Sequence, residues 1–466
     1  MHSPAEAVFL RQQEARWGVA AGSGARRRAR LRDLLAALLA RREEAHAALA
    51  ADFGKVPAEV DLAELYPLAA ELRLAIRHLD RWMRPQRVAT PLGFTGSRAW
   101  IRPEPRGVVL VISPWNYPLY LALGPLISAV AAGNCVVLKP SEYTPHASAF
   151  LRDLLAGLFP EAEVAVLEGG AEVARELLEL PFDHVFFTGS PEVGRQVLAA
   201  TARHLASATL ELGGKSPVLV AADADLPMAA RRIIWGKCLN AGQTCVAPDY
   251  VLVHAAIHDR LVDALVQALA DFYGPTEAER RHSPDLGRIL NARHLERLRD
   301  LLADSGGRVV TGGLWDAEDR YFAPTLVTDV APDAPLMRQE IFGPILPVLA
   351  VPDLEAALRF VNQRPKPLAM YLFTRSRATA ADLVARTTAG GTCINDTVLQ
   401  FVQPNLPAGG VNASGLGKAH GQQGFQTFSN ARGILRCRSR YSPLQWLYPP
   451  FTPRVRRLIR LALRFL

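Results

Sequence analysis

Three short stretches of the chain hold side chains that could do covalent chemistry together. They supply a thiol at Cys245, a carboxylate at Glu211 and a side-chain amide at Asn116. Each stretch lies in a loop after an apolar run or beside a helix, where an α/β fold presents its active site. The stretches are Ile112–Pro118, Leu210–Lys215 and Asn240–Cys245.

The chemistry that these groups favour is covalent oxidation of an aldehyde. A thiol adds to an aldehyde to give a hemithioacetal, whose carbon can release hydride to a nicotinamide cofactor. The remaining thioester must be hydrolysed, and Glu211 would act as the base for water. The Asn116 side chain and the Cys245 backbone N–H would stabilise the oxyanion formed in both steps. No metal site is expected, because the sequence lacks a CxxC pair or histidine-rich cluster with metal-ligand spacing.

Other polar residues have simpler explanations than catalysis. A lone cysteine is usually a small buried hydrophobe, which is our interpretation of Cys135 and Cys238. The polar, glycine-containing flank of Cys245 favours a nucleophile there instead. Lys215 and Asn395 could cap or hydrogen-bond local turns, so they stay outside the predicted catalytic set.

The pattern around these residues predicts an α/β protein with two domains. A chain of 466 residues is too long for one ordinary core. Apolar runs alternate with helical patterns from residue 107 to 212 and again from about 217 to 415, which implies parallel sheets covered on both faces. Amphipathic helices are expected at Arg26–Ala51 and Asp61–Trp82, and a projecting hairpin at Arg84–Pro105.

The three stretches resemble the signatures of the aldehyde dehydrogenase superfamily. The segment Pro114–Pro118 (PWNYP) resembles its class 3 branch of fatty and aromatic aldehyde dehydrogenases. The resemblance runs from about Val8 to Pro450. Further matching segments are Ala132–Asn134, Lys139–Glu142, Phe187–Ser190, Glu340–Pro344 and Thr427–Ser429.

The resemblance implies a role for each matching residue and a use for each domain. Cys245 would be the nucleophile, Glu211 the general base and Asn116 the oxyanion donor. NAD or NADP would be the cofactor, held by Trp115, Lys139, Glu142, Gly189, Ser190, Val193, Gly194, Leu212, Glu340 and Phe342. The implied ranges are 1–83 and 106–212 for a cofactor-binding domain, 213–420 for a catalytic domain, 84–105 and 421–440 for bridging or oligomerisation segments, and 441–466 for a basic tail.

Two departures from the family pattern bear on the substrate site. Ala408 stands where the class usually has phenylalanine, in the segment Pro407–Gly415, which also carries Asn412 and Ala413. Because that segment approaches the active site in the family, the shape of the substrate pocket does not carry over. The usual Tyr-His-Gly is Ala419-His420-Gly421, which leaves a role for the histidine open.

Rival functions remain beside the main one. An aromatic aldehyde is the alternative to a long-chain or otherwise lipophilic substrate. An acylating enzyme that uses coenzyme A would need no base for water, so Glu211 counts against it. A catalytically silent relative that binds membranes or proteins is disfavoured by the complete set of Asn116, Glu211 and Cys245.

The net charge of +8 is concentrated at the end of the chain. Residues 431–466 hold nine arginines and no acidic residue, which leaves about −1 on the rest, so a nucleic-acid surface is not expected. Residues 454–466 predict an amphipathic helix at a membrane interface, with packing on the protein or a dimer partner as the alternative. The few cysteines and the absence of a signal peptide predict a cytoplasmic protein, peripheral at a membrane through this tail. Class 3 relatives are typically dimers, so a homodimer is expected.

Overall fold

Two largely parallel sheets organise the chain, in a computed structural model that describes residues 3–91, 94–437 and 443–465. The predicted fold, with two parallel-sheet α/β domains and a small hairpin, is confirmed. The functional stretches all follow strands or helices of these two domains.

The first sheet has six strands in the order β17-β7-β6-β3-β4-β5, and all pairs are parallel except β17 with β7. Its strands are β3 (Val108–Ile112), β4 (Cys135–Lys139), β5 (Val164–Val166), β6 (His184–Gly189), β7 (Ser207–Leu212) and β17 (Gly415–Leu416). The apolar runs of β3 and β4 are buried throughout, as expected for strands with helices on both faces.

Helices cover both faces of this sheet. They are α1 (Pro4–Ala20), α2 (Gly24–Ala40), α3 (Arg42–Phe53), α4 (Pro57–Val60), α5 (Tyr66–Met83), α6 (Tyr120–Ala132), α7 (Pro145–Ala156), α8 (Ala171–Leu178) and α9 (Pro191–Arg203). Every residue of α6 is buried, which matches its almost wholly apolar sequence. This helix follows directly on the loop that contains Asn116.

Two predicted helices differ from the observed ones. The range Arg26–Ala51 is divided into α2 and α3, because Arg41 between them leaves the helical region at φ −100°, ψ 24°. The range Asp61–Trp82 begins with one π-helical turn, Asp61–Leu65, before α5 starts at Tyr66. Single π turns often occur at functional sites, and Leu62 and Ala63 of this one line a cavity that Cys245 also lines.

The second sheet has seven strands in the order β10-β13-β14-β9-β8-β15-β16. Its strands are β8 (Pro217–Val220), β9 (Tyr250–His254), β10 (Arg308–Thr311), β13 (Thr325–Thr328), β14 (Ile345–Val351), β15 (Ala369–Phe373) and β16 (Gly391–Ile394), with β11 (Trp315–Asp316) and β12 (Tyr321–Phe322) forming a separate pair. Its helices are α10 (Leu226–Cys238), α11 (His258–Tyr273), α12 (Glu277–Arg281), α13 (Ala292–Ala303), α14 (Pro335–Arg338), α15 (Leu354–Asn362), α16 (Arg377–Ala385) and α17 (Leu399–Val402).

A third, antiparallel sheet and a terminal helix complete the described chain. The predicted hairpin is present as β1 (Gln86–Val88) and β2 (Ser97–Pro105), and β18 (Ser429–Cys437) pairs along all of β2. Helix α18 (Gly421–Thr427) leads into β18, and α19 (Pro453–Phe465) ends the described residues. The two-residue strand β17 lies within the range 213–420 but pairs with β7 of the first sheet.

Candidate active site

Cys245 lies where two cavities meet. Helix α10 ends at Cys238, and the following turn, Leu239–Gly242, reverses the chain with Asn240 at φ 54° and Gly242 at φ 75°. A Cβ on Gly242 would come within 2.3 Å of the Gly343 carbonyl oxygen, so the turn requires glycine there. After this turn, Cys245 lines both an apolar cavity and a polar cleft.

The apolar cavity is enclosed by aliphatic and aromatic side chains. No charged residue is among those that line it. They are Leu62, Ala63, Tyr66, Tyr117, Tyr120, Leu121, Trp235, Leu239, Thr244, Cys245, Val246, Val398, Leu399, Phe401 and Val402. Leu62 and Tyr66 come from the π turn and its junction with α5, and both are largely exposed at the rim. An uncharged, apolar molecule therefore fits this side of Cys245.

The polar cleft lies on the other side of Cys245. It is lined by Pro114, Trp115, Asn116, Leu121, Thr188, Gly189, Ser190, Glu211, Leu212, Gly213, Cys245, His294, Arg297, Glu340 and Phe342. The Trp115 ring stands edge-on to Phe342 at 5.4 Å and lies 5.1 Å from His294, between centroids. Arg297 donates to the Glu340 carbonyl oxygen at 3.1 Å. All three predicted catalytic side chains thus meet around this cleft.

Glu211 is a buried carboxyl at the end of β7. Burial raises its pKa to about 7, while the positive charge of Lys418 acts in the opposite direction. Its Oε1 atom has no hydrogen-bond partner among the described residues. A carboxylate with a pKa near neutrality and a free oxygen is suited to accept a proton from water.

The thiol of Cys245 is neutral at rest. Burial raises the pKa of this thiol well above its ordinary value, and the nearby carboxyls of Glu340 and Glu211 raise it further. Hydrogen bonds from the backbone N–H groups of Cys245 and Val246 oppose this shift. Those two amides therefore favour the thiolate form of Cys245 over the thiol.

The Asn116 loop is held against the Cys245 loop by hydrogen bonds. The Asn116 side-chain Nδ2 donates to the Gln243 carbonyl oxygen at 3.0 Å. The Asn116 carbonyl oxygen accepts from Asn240 Nδ2 at 2.9 Å. Tyr117 Oη and Thr244 Oγ1 are 2.6 Å apart. The amide and the thiol are therefore carried by two loops that form one connected unit.

The chain matches the model of the aldehyde dehydrogenase family from residue 5 to residue 434. It belongs to that family. The aldehyde dehydrogenase uses NAD or NADP, in agreement with the predicted enzyme class and cofactor, and related solved structures contain NADP or NAD⁺.

Individual relatives resemble this aldehyde dehydrogenase over most of their length. Aldehyde dehydrogenase family 3 member B3 of Mus musculus is 45% identical, over 90% of this chain and 87% of its own. The 4,4'-diaponeurosporen-aldehyde dehydrogenase of Staphylococcus aureus is 42% identical, over 88% of each chain. The structure of the substrate-bound state of Staphylococcus aureus AldH matches with a TM-score of 0.94 at 38% identity, covering 99% of this chain and 100% of that one. The predicted resemblance to the class 3 branch is thereby confirmed.

The polar cleft of this aldehyde dehydrogenase is lined by six of the ten residues that are predicted to contact the cofactor. They are Trp115, Gly189, Ser190, Leu212, Glu340 and Phe342. Glu340 Oε1 is buried without a partner among the described residues, as expected of a carboxylate that awaits a hydroxyl group. Gly213 has no room for a side chain, because a Cβ there would come within 2.0 Å of Glu340 Oε2.

The other four predicted cofactor residues are not among those that line the cleft: Lys139 ends β4, Glu142 follows it, and Val193 and Gly194 lie in the first turn of α9. Lys139 forms an ion pair with Glu142 at 2.9 Å. Ser190 caps α9 by accepting from the Val193 N–H at 3.3 Å, so this helix begins at the edge of the cleft that Ser190 lines. A Cβ on Gly194 would come within 2.6 Å of Leu212, so the glycine allows α9 to approach β7.

The two departures from the family pattern, at Ala408 and at Ala419, lie close to the strand that carries Glu211 in this aldehyde dehydrogenase. Neither residue lines the apolar cavity. Ala408 is buried and forms a bridge with Ala419, and Gly415 of the same segment pairs with Glu211. His420 is also buried, with Nε2 3.1 Å from Tyr120 Oη. Since Tyr120 lines the apolar cavity, His420 contacts that cavity's wall.

Several residues near the site were not expected from the sequence of this aldehyde dehydrogenase. Lys418 is placed beside Glu211, and His294 and Arg297 of α13 line the cleft. Lys55 and Glu64 lie buried behind the Asn116 loop. No motif marks them, because each is a common residue within a helical or loop segment. Among residues 3–91, 94–437 and 443–465, no cluster of histidine, cysteine and acidic residues could hold a metal ion.

Proposed function

We propose that Cys245, Glu211 and Asn116 carry out the oxidation of the aldehyde. Cys245 loses its thiol proton to water as its sulfur adds to the aldehyde carbon, and the Asn116 amide and Cys245 N–H stabilise the resulting oxyanion. Bound NAD or NADP supplies the hydride acceptor. The thioester that is left on Cys245 is hydrolysed by water that Glu211 deprotonates, which yields the acid and the free thiol. The observation that supports this most is the position of Cys245 at the junction of an apolar cavity and a polar cleft that Asn116 and Glu211 also line.

The proposed substrate is a long-chain or otherwise lipophilic aldehyde. The wall of the apolar cavity carries no charge and offers few polar atoms, so it favours an alkyl chain over a charged or hydroxylated one. Its aromatic members, among them Tyr120, Trp235 and Phe401, also suit a ring, which keeps an aromatic aldehyde as the second candidate. Coenzyme A acylation is disfavoured by the buried carboxyl of Glu211 in the cleft.

A series of straight-chain aldehydes tests this substrate class. Each methylene buried in the cavity contributes about 0.8 kcal/mol, so kcat/KM should rise roughly fourfold per carbon until the cavity is full. Propanal through dodecanal would be compared with benzaldehyde by the absorbance of the reduced cofactor. A flat alkyl series with benzaldehyde far ahead would establish the aromatic alternative.

A charge in the cavity wall should selectively impair long substrates. Val402→Glu places a carboxylate among apolar side chains, and we expect at least about a tenfold loss in kcat/KM for decanal. Turnover of propanal should change much less. Val384→Glu, at an exposed position on α16, is the matched control. Equal losses for both aldehydes in Val402→Glu would argue against a substrate chain in this cavity.

We also propose that the tail attaches the cytoplasmic enzyme peripherally to a membrane surface. Leu461 and Leu463 on α19 are 52% and 71% exposed, and Trp446, Tyr448 and Phe451 before it are exposed as well. None of the α19 arginines forms an ion pair with a described residue. They are Arg454, Arg456, Arg457, Arg460 and Arg464. Such a helix combines an apolar face with unpaired basic groups, as interfacial helices do. No described helix has the length and apolar character to cross a bilayer.

Removal of the tail is expected to release the enzyme from anionic vesicles. Deletion of residues 452–466 should abolish co-sedimentation at low salt, while activity on short aldehydes persists. Leu461→Glu combined with Leu463→Glu should have the same effect with all arginines retained, because the apolar face is lost. If the full-length enzyme stays in the supernatant, the tail is a structural element that packs on protein.

A homodimer is the proposed assembly. In the described chain, β18 pairs only with β2, and most of its residues are exposed. An exposed nine-residue edge strand is a ready site for pairing with another chain. Light scattering at micromolar concentration should give twice the 50.8 kDa chain mass. A single-chain mass would refute the dimer.

A further inference from the structure

The segment from Lys55 to Glu64 lies behind the catalytic loops and carries three buried charged residues. Glu59 Oε1 accepts from the Asn240 N–H at 3.1 Å, and so supports the turn before Cys245. The side chains of Lys55 and Glu64 are fully buried. Glu64 belongs to the π turn that also places Leu62 in the apolar cavity. One short segment therefore contacts the nucleophile loop, the cavity and the Asn116 loop.

Lys55 and Glu64 form a buried ion pair. Besides bonding to each other, both side chains contact residues of the Asn116 loop. Lys55 Nζ is 2.7 Å from Glu64 Oε1, 3.4 Å from the Asn116 carbonyl oxygen and 3.9 Å from the centre of the Tyr117 ring. Glu64 Oε2 accepts from the N–H groups of Leu119 and Tyr120 at 2.9 and 3.0 Å. The pair thus binds both ends of the turn that carries Asn116.

A buried ion pair is a poor means of stabilising a fold. The cost of removing two charges from water is commonly as large as their attraction, and apolar replacements of similar volume are often neutral. A buried pair that satisfies specific backbone groups can instead fix one loop geometry. The contacts of Lys55 and Glu64 are of this kind, since they bond to one carbonyl and two N–H groups of a single loop.

We propose that Lys55 and Glu64 are positioning residues that hold the Asn116 amide in place for the oxyanion. The inference rests on the proposed oxyanion role of Asn116. With its backbone carbonyl fixed by Lys55 and Asn240, the Asn116 side chain can turn from the Gln243 carbonyl to the substrate oxygen without movement of the loop. A donor fixed before the reaction costs no reorganisation when charge develops.

A cycle of variants tests whether the pair acts through Asn116. Lys55→Met combined with Glu64→Gln removes both charges, so no unpaired charge is left buried. We expect kcat to fall about 10-fold to 100-fold, with KM and cofactor Kd within about threefold of wild type. In an Asn116→Ala background the same double change should lower kcat less than about twofold, because the group it positions is gone.

The matched control is Asp52→Asn. Asp52 is also a buried carboxyl that accepts from two N–H groups at a helix start, those of His146 and Ala147 on α7. It should lower Tm without lowering kcat. Equal kcat losses from the Lys55–Glu64 change in both backgrounds, or a loss of Tm alone, would overturn the positioning role. A normal kcat for Asn116→Ala would instead overturn the proposed oxyanion role, and the positioning role with it.

Discussion

Replacement of Cys245 by alanine is expected to abolish aldehyde oxidation while cofactor binding survives. Among the described residues that line both cavities, Cys245 has the one side chain that can form a hemithioacetal, and the variant lacks it. Loss of a covalent nucleophile should reduce kcat by at least about 10⁴-fold. The measurement is reduced-cofactor absorbance on mixing with decanal, alongside titration of NAD and NADP by protein fluorescence.

Cys393→Ala is the control for loss of a thiol elsewhere. Cys393 lies half-buried on β16 and does not line either cavity, so its removal should leave turnover close to wild type. Unchanged cofactor affinity in Cys245→Ala would separate lost chemistry from a collapsed site. Persistent turnover in that variant would rule out the covalent mechanism.

The sequence could bring the three proposed catalytic side chains to attention because each one lies in a distinctive local context. Cys245 follows a glycine-containing turn, Glu211 precedes paired glycines, and Asn116 lies between a tryptophan and a tyrosine-proline pair. The glycines are needed for close approach, as the neighbours of Gly213 and Gly242 show. Local steric requirements of this kind leave a pattern in the sequence.

The apolar cavity left no such pattern. Its wall is built from four separate segments, near residues 62–66, 117–121, 235–246 and 398–402, and each contributes ordinary apolar residues. Hydrophobic periodicity identifies such residues as buried but does not say whether they fill a core or line a cavity. The cavity that we propose as the substrate site is thus a property of how the segments pack.

Lys55 and Glu64 were hidden for a related reason. Glu64 lies in the predicted helix Asp61–Trp82, where a charged residue predicts a solvated face, and Lys55 lies between the two predicted helices. Both are more than fifty positions from Asn116 in sequence. Glu64 belongs to the π turn at Asp61–Leu65, where α-helical spacing does not predict which side chains face inward. The break between α2 and α3 at Arg41 was missed as well, because the amphipathic pattern continues across it.

Replacement of Glu211 by glutamine is expected to separate the two halves of the reaction. Hydride release needs Cys245 and should continue, whereas hydrolysis of the thioester loses its base. Mixing the variant with aldehyde and cofactor should give a burst of reduced cofactor equal to the enzyme concentration, then a steady state slower by about 10²-fold to 10⁴-fold. Glu355→Gln, at an exposed carboxyl on α15, should behave like wild type.

The pH profile provides an independent check on the same carboxyl. Burial raises the pKa of Glu211 from 4.5 to about 7, and only its deprotonated form can accept a proton from water. Steady-state turnover of the wild type should therefore fall as the pH drops below about 7, if hydrolysis limits the rate. Glu211→Gln carries no titrating group at this position, so its slow turnover should lack this acidic decline. A variant with full steady-state turnover and an unchanged profile would assign the base to another residue.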